Sequence, residues 1–179
     1  MIFTLIGMPG SGKSCMGRAI AKHFNMKLVD GDKVIEKETI YEDICGDKLR
    51  EAYNKGEIPV GAVVVWNNRI IARAHNLTEV LHDVTAHAEM QAITAAANIM
   101  GGKYLKDCTL YVTLEPCIMC AGALGWSQIS RVVYGASDPK RGYSTFSPNA
   151  LHPKTEVVSG ILADEALSLM QSFFAARRK

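Results

Sequence analysis

Two short segments, Thr85-Ala86-His87-Ala88-Glu89 and Glu115-Pro116-Cys117-Ile118-Met119-Cys120, constrain this chain more than any other part of it. Zinc binds nitrogen and sulfur donors in a tetrahedron, and a hydrolytic zinc keeps three protein ligands and an open fourth position for water. His87, Cys117 and Cys120 read as that ligand set. Cys117 and Cys120 lie three apart at a predicted helix start, so both thiols share one face. Pro116 stands where a first-turn proline is tolerated, and a helix N-terminus favours the thiolate that a metal requires. Glu89 lies two residues from His87 on the apolar run Ala86 to Met100. Positions two apart on a helix face different ways, so Glu89 reads as a general base and not as a fourth ligand. A Cys-x-x-Cys alone would also suit a structural half-site or a redox pair. A structural site wants four protein ligands, and the sequence holds no second Cys-x-x-Cys or His pair to supply them.

The pattern His-x-Glu followed by Pro-Cys-x-x-Cys is the signature of zinc deaminases that act on nucleobases. From about Tyr53 onward the chain resembles the bacterial tRNA-specific adenosine deaminase family. The resemblance is carried by Gly56-Glu57-Ile58-Pro59-Val60-Gly61-Ala62-Val63-Val64-Val65, Ala86-His87-Ala88-Glu89-Met90, Tyr111-Val112-Thr113-Leu114-Glu115-Pro116-Cys117, Cys120-Ala121-Gly122-Ala123 and Gly160-Ile161-Leu162-Ala163-Asp164-Glu165. It departs at Val84, where the family commonly has proline, and at Trp126-Ser127-Gln128-Ile129, where it often has His-Ser-Arg-Ile.

The resemblance implies a cytidine deaminase-like three-layer α/β/α fold with a mixed sheet. It also implies a zinc cofactor, a homodimer, and deamination of adenosine to inosine in RNA at the wobble position of a tRNA anticodon. Asn76, after the second predicted strand, has an amide able to donate to and accept from a base edge; a strand-end turn is the other use of asparagine there. The resemblance makes it a substrate-binding residue. Asp138 occupies the place where the family's aspartate contacts the ribose on the 5′ side of the target, and a loop cap is its other reading. The C-terminal Phe173-Phe174-Ala175-Ala176-Arg177-Arg178 suits base stacking and phosphate contact, or equally an amphipathic helix with solvated arginines.

The chain opens on a different motif. The apolar run Ile2 to Ile6 leads into Gly7-Met8-Pro9-Gly10-Ser11-Gly12-Lys13-Ser14, a full phosphate-binding loop pattern in which Gly7 and Gly12 free the backbone, Lys13 reaches phosphates and Ser14 holds magnesium. A helical stretch and a second strand near Met26 to Asp30 make a βαβ opening that resembles shikimate kinases and related small P-loop kinases. The substrate-binding arginines and lid of such kinases cannot be located. A piece of this size buries too little surface to be an independent catalytic domain. We read residues 1–46 as a truncated kinase-like segment with a vestigial or packing role, its ATP binding open, and residues 47–179 as the deaminase domain.

With 179 residues, 48% of them apolar, the chain has enough sequence for one well-buried domain and only marginally for two. A net charge of +2 does not announce a nucleic-acid binder, although Arg177-Arg178-Lys179 forms a local basic patch. Five cysteines, two of them in the metal motif, argue against a disulfide framework. No leader and no membrane-length apolar run is seen, so a cytoplasmic protein is expected.

Hydrophobic patterning predicts a short helix from Asp47 capped by Gly56, and strands Val60 to Trp66 and Arg69 to Ala74 joined by Asn67-Asn68 as a hairpin. Helix Ala86 to Met100, strand Thr109 to Leu114, helix Cys117 to Trp126, strand Arg131 to Ala136, a strand at Glu156 to Val158 and helix Ala163 to Arg177 follow. Two other functions remain open on sequence alone. A free base or nucleoside deaminase acting on guanine or cytosine would use the same zinc set, and a P-loop nucleotide-binding protein would use Gly7 to Ser14.

Overall fold

The computed structural model describes residues 47–177, so the expected P-loop residues Gly7, Gly12, Lys13 and Ser14, and the expected kinase-like segment 1–46, lie outside the described residues. The elements run α1 (Asp47–Asn54), β1 (Gly61–Trp66), β2 (Arg69–His75), α2 (Ala88–Met100), β3 (Cys108–Leu114), α3 (Ile118–Trp126), β4 (Arg131–Ala136), α4 (Tyr143–Phe146), β5 (Glu156–Val158) and α5 (Ala163–Arg177). The expected hairpin forms because Asn67 and Asn68 both take left-handed backbone, with φ of 48° and 57°. That pair of values makes the tight turn whose twist matches the flanking strands.

The five strands form one mixed sheet in the order β2-β1-β3-β4-β5. β1 is antiparallel to β2 and to β3, whereas β3, β4 and β5 run parallel. Alternate residues of a strand point to opposite faces, and here both faces are buried. Ala62, Val64, Leu110, Val112, Val132 and Tyr134 face α2 and α3 in the larger core. Val63, Val65, Tyr111 and Val133 form a second cluster on the other face. Helix α2 meets the sheet through Ala88, Ala92 and Ala96, all fully buried and four apart on one stripe, so small side chains let the helix lie close. On the opposite face α5 buries Ala166 and Phe173, and Phe173 meets Tyr53 of α1 edge to face at 5.8 Å between ring centroids. Gly135 makes this packing possible, since a Cβ there would stand 2.6 Å from the Thr113 carbonyl oxygen and 3.4 Å from Ala166 Cβ. The result is the expected three-layer arrangement with helices on both faces of the sheet.

Strand directions decide where chemistry can be placed. Both β2 and β3 are antiparallel to β1, and β4 is parallel to β3, so the C-terminal ends of β2, β3 and β4 share one end of the sheet. Ligands of open α/β folds bind at that end. The residues that follow these three strands are Asn76, Glu115 and Ser137, and all three line one cavity.

Candidate functional site

The metal group sits where two helices begin. His87 is the N-cap of α2 and Cys117 the N-cap of α3, both with extended backbone, and Cys120 lies in the first turn of α3. His87 Nδ1 stands 3.6 Å from Cys117 Sγ and 3.5 Å from Cys120 Sγ. Zinc–nitrogen and zinc–sulfur bonds at the tetrahedral angle require a nitrogen–sulfur edge of about 3.6 Å. The three donor atoms all lie within 4.8 Å of one another, and among the described residues no fourth His, Cys, Asp or Glu joins the group. The donor set and its spacing fit a zinc with an open position.

The two thiols differ in their readiness to ionise. Cys117 is drawn down to about 4, chiefly by the hydrogen bond it shares with Cys120 and further by His87. Cys120 is pushed up by that same hydrogen bond, by burial and by the charge of Glu89. His87 is raised, first by its hydrogen bond to Cys117. The positive ends of α2 and α3 both face this cluster and favour thiolate there.

Glu89 is buried on the first turn of α2, and desolvation raises its carboxyl above the ordinary carboxylate range. Glu89 stands outside the grouped donors, for a reason that differs from the expected one. The helix begins at Ala88, not Ala86, and His87 stands in extended backbone outside it, so the two side chains part at the helix boundary and not across a helical face. Likewise Cys117 precedes its helix, which starts at Ile118.

The cavity above this cluster holds about 790 Å³ and is bounded on one side by the segment after β2. Asn76 is buried there, and its Nδ2 donates to Glu57 Oε2 at 3.0 Å and to Thr78 Oγ1 at 2.9 Å. Both amide hydrogens are therefore used within the protein, and the carbonyl oxygen is what Asn76 offers a ligand. Glu57 is fully buried and also accepts from the backbone N–H groups of Glu79 at 2.9 Å and Val80 at 2.8 Å. Burial alone would raise the Glu57 carboxyl, and these backbone bonds, with Thr78 and Asn76, together hold it below its ordinary value.

The segment after β4 bounds the other side. Asp138 Oδ1 accepts from the backbone N–H groups of Lys140 at 2.9 Å and Arg141 at 3.1 Å, so Asp138 does cap its loop and also lines the cavity. The loop is tied to Glu115, whose Oε2 accepts from Asp138 N at 2.9 Å and whose Oε1 accepts from Ser144 N at 3.0 Å.

Helix α5 supplies the last wall through Leu167, Met170, Gln171 and Phe174. The two phenylalanines divide the two readings of the C-terminal segment between them. Phe174 faces the cavity and is 41% exposed, whereas Phe173 is core. Arg177 is committed within the protein: its guanidinium lies over the Phe173 ring at 4.5 Å and donates to the Gly56 carbonyl. Gly56 follows α1 with a φ of 73° and presents its carbonyl to this donor. Neither departure from the family pattern enters the cavity, and Val84 and Trp126 are 83% and 87% exposed.

Sequence reasoning assigned no role to Glu57 or Glu115. Each is an isolated acid inside an otherwise apolar strand-flanking run, Glu57-Ile58-Pro59-Val60 and Val112-Thr113-Leu114-Glu115-Pro116. Charged residues are rarely fully buried unless paired, so that placement was the available signal.

Comparison with known proteins agrees with this geometry. Residues 36–136 match the cytidine and deoxycytidylate deaminase zinc-binding region, and residues 9–57 match shikimate kinase, the two regions overlapping over 36–57. The chain is 46% identical over 153 residues to the tRNA-specific adenosine deaminase of Bacillus subtilis strain 168, covering 83% of this chain and 91% of that protein. A solved structure from a study of A-to-I editing by tRNA:A34 deaminases at the wobble position superposes with a TM-score of 0.67 at 40% identity, over 73% of this chain and 99% of that one. The guanine deaminase of Bacillus subtilis superposes with a TM-score of 0.51 at 39% identity, over 55% of this chain and 64% of that one. With its zinc-binding deaminase region, its mixed sheet and relatives matched over most of their length, the chain belongs to the tRNA-specific adenosine deaminase family.

Proposed function

We propose that this protein hydrolytically deaminates adenosine to inosine at the wobble position of a tRNA anticodon, with His87, Cys117 and Cys120 holding zinc and Glu89 moving the protons. The observation that carries this is the meeting of a His-Cys-Cys donor group and a buried carboxylate at one cavity. Zinc bound there supplies Lewis-acid activation of water. Glu89 takes a proton from the water that adds to C6 of adenine and delivers it to N1. It then carries the second proton from the new hydroxyl to the amino group, the C6–N6 bond breaks, and inosine and ammonia leave. Burial suits Glu89 to this double role, because a raised carboxyl is a stronger base toward water and, once protonated, holds the proton for delivery to the base nitrogen and the leaving amine. Asn76 offers its carbonyl oxygen to the base edge, and Asp138 contacts the sugar on the 5′ side.

An anticodon loop suits the cavity, since its bases are unpaired and can leave the stack to enter a pocket. Lys140, Arg141 and Phe174 on the wall are suited to phosphate contact and stacking. The protein acts as a homodimer in the cytoplasm. Ile118 and Trp126 on α3 are 53% and 87% exposed, which is apolar surface that a subunit contact would cover. No helix among the described residues is long and apolar enough to cross a membrane. Residues 1–46 act as a vestigial or packing element ahead of the deaminase domain at 47–179.

The second reading, a free guanine deaminase, is favoured by the likeness to the Bacillus subtilis enzyme. Incubation with unmodified tRNA, free nucleosides and free bases, measuring ammonia and inosine, separates the two. Turnover of tRNA that weakens steeply with salt supports the proposal, because phosphate contacts release counterions. Efficient turnover of guanine with none on tRNA at low salt overturns it.

A further inference from the structure

We propose that Glu115 is a positioning residue for the polynucleotide substrate: its buried carboxylate fixes the loop of residues 137–144 so that Asp138 stands at the cavity. This rests on the reading of Asp138 as a substrate contact. Glu115 is 4% exposed, directly after β3 and two residues before Cys117. A carboxylate in such a place is tolerated only when its oxygens are hydrogen-bonded. Both are, and both partners are backbone N–H groups of one segment, Asp138 after β4 for Oε2 and Ser144 in the first turn of α4 for Oε1.

The loop is shaped to meet that carboxylate. Gly142 N donates to the Asp138 carbonyl at 2.8 Å, Tyr143 N donates to the Pro116 carbonyl at 2.9 Å, and Gly142 forms an isolated antiparallel bridge with Cys117. A Cβ at Gly142 would collide with the Glu115 carboxylate, so only glycine lets the chain lie over it. Asp138 in turn closes the loop on itself through Lys140 and Arg141. Glu115 thus touches two ends of a seven-residue turn whose middle carries Lys140 and Arg141, and all of these line the cavity except Gly142, Tyr143 and Ser144. Glu115 is not among the grouped metal donors. With each oxygen already accepting from a backbone donor, it acts through the loop and not on the reacting atoms.

The test uses Glu115→Gln, which keeps the size of the side chain and turns one acceptor into a donor facing an N–H group. With an anticodon stem-loop as substrate, the apparent KM should rise about tenfold while kcat changes by less than about threefold, and zinc content should stay stoichiometric. Gly142→Ala, which presses the loop away and leaves Glu115 intact, should reproduce the KM rise. Asp138→Ala should raise KM by itself, and adding Glu115→Gln to it should raise KM by less than the product of the two single effects, since residues acting through one loop are not additive. Additive effects in the double variant overturn the proposal, as does loss of zinc from folded Glu115→Gln protein or a fall in kcat at unchanged KM. An unchanged KM in Asp138→Ala would instead sink the reading of Asp138, and a KM rise in both Glu115→Gln and Gly142→Ala would still uphold Glu115 as the anchor of the loop.

Discussion

The two halves of the cavity are built by different means. The metal half is made of side chains at helix starts: His87 and Cys117 cap α2 and α3, and Cys120 and Glu89 stand in the first turns. The rim half is made of loops, and each loop is held by a buried glutamate that accepts backbone N–H groups, Glu57 from residues 79 and 80 and Glu115 from residues 138 and 144. A side chain that binds zinc must come from a short list of donor types, whereas a backbone N–H is offered by nearly every residue. Damage to the first half should therefore abolish chemistry outright. Damage to the second should loosen substrate and fold while leaving the metal in place.

The largest expected effects separate roles inside the metal half. Cys117→Ala removes one of three donors and should lose zinc and turnover together. Glu89→Ala should keep stoichiometric zinc and lose turnover by about a thousandfold, the range for removing a general acid and base. Metal analysis of both purified proteins beside single-turnover rates decides it. Zinc-free, folded Glu89→Ala protein would show that the carboxylate belongs to the donor set after all.

A smaller effect comes from the adjacent aromatics of α5. Phe173→Ala empties a site that is 3% exposed, ringed by Tyr53 and covered by Arg177, and should destabilise the fold by about 3 kcal/mol. Phe174→Ala should leave stability within about 1 kcal/mol, as surface substitutions do, and raise the KM for RNA through lost stacking. Urea denaturation and tRNA kinetics on the pair check this. Equal destabilisation by both would mean that Phe174 is core and that α5 gives the cavity no stacking face.

Next in size is Glu57→Gln, which should cost about 1–2 kcal/mol, because the replacement turns an amide donor toward groups that are themselves donors. Its effect should fade in acid. The carboxyl is held below its ordinary value, so its contribution is complete above the unfolded pKa and is lost as pH falls through the lower folded one. Wild-type and variant denaturation curves that converge on acidification are expected. A difference that grows in acid would reverse the sign and remove Glu57 as an anionic anchor.

How much of this was legible in the sequence follows the same divide. The grouping of His87, Cys117 and Cys120, the hairpin at Asn67-Asn68, and the bounds of β4, β5 and α5 were readable, since each depends on residue type at fixed spacing. The helix starts at Ala88 and Ile118 were read one or two residues early, because an N-cap residue keeps the hydrophobic pattern of the helix it precedes. The roles of Glu57 and Glu115 were not readable: their partners are backbone groups 22 to 29 residues away, brought close only by the sheet. The bond of Arg177 was hidden for a similar reason, since its acceptor is the carbonyl of Gly56, 121 residues earlier in the chain.

The smallest expected effect lies outside both halves. Every described residue lining the cavity falls between Ile58 and Ala175, and the donors, the base and both loop anchors fall between Glu57 and Ser144. The intact phosphate-binding pattern at Gly7 to Ser14 has no counterpart in the deamination chemistry, which consumes water and releases ammonia without nucleotide hydrolysis. The shikimate kinase match covers residues 9–57 only. Lys13→Ala, which removes the phosphate-reaching charge, should therefore leave kcat and KM for tRNA unchanged, with or without ATP and magnesium. The comparison is made in both proteins under identical salt, because ATP alone raises ionic strength and weakens RNA binding. An ATP-dependent rate in the parent that vanishes in Lys13→Ala would make the first forty-six residues a regulatory element. The cavity would then answer to a nucleotide as well as to its two halves.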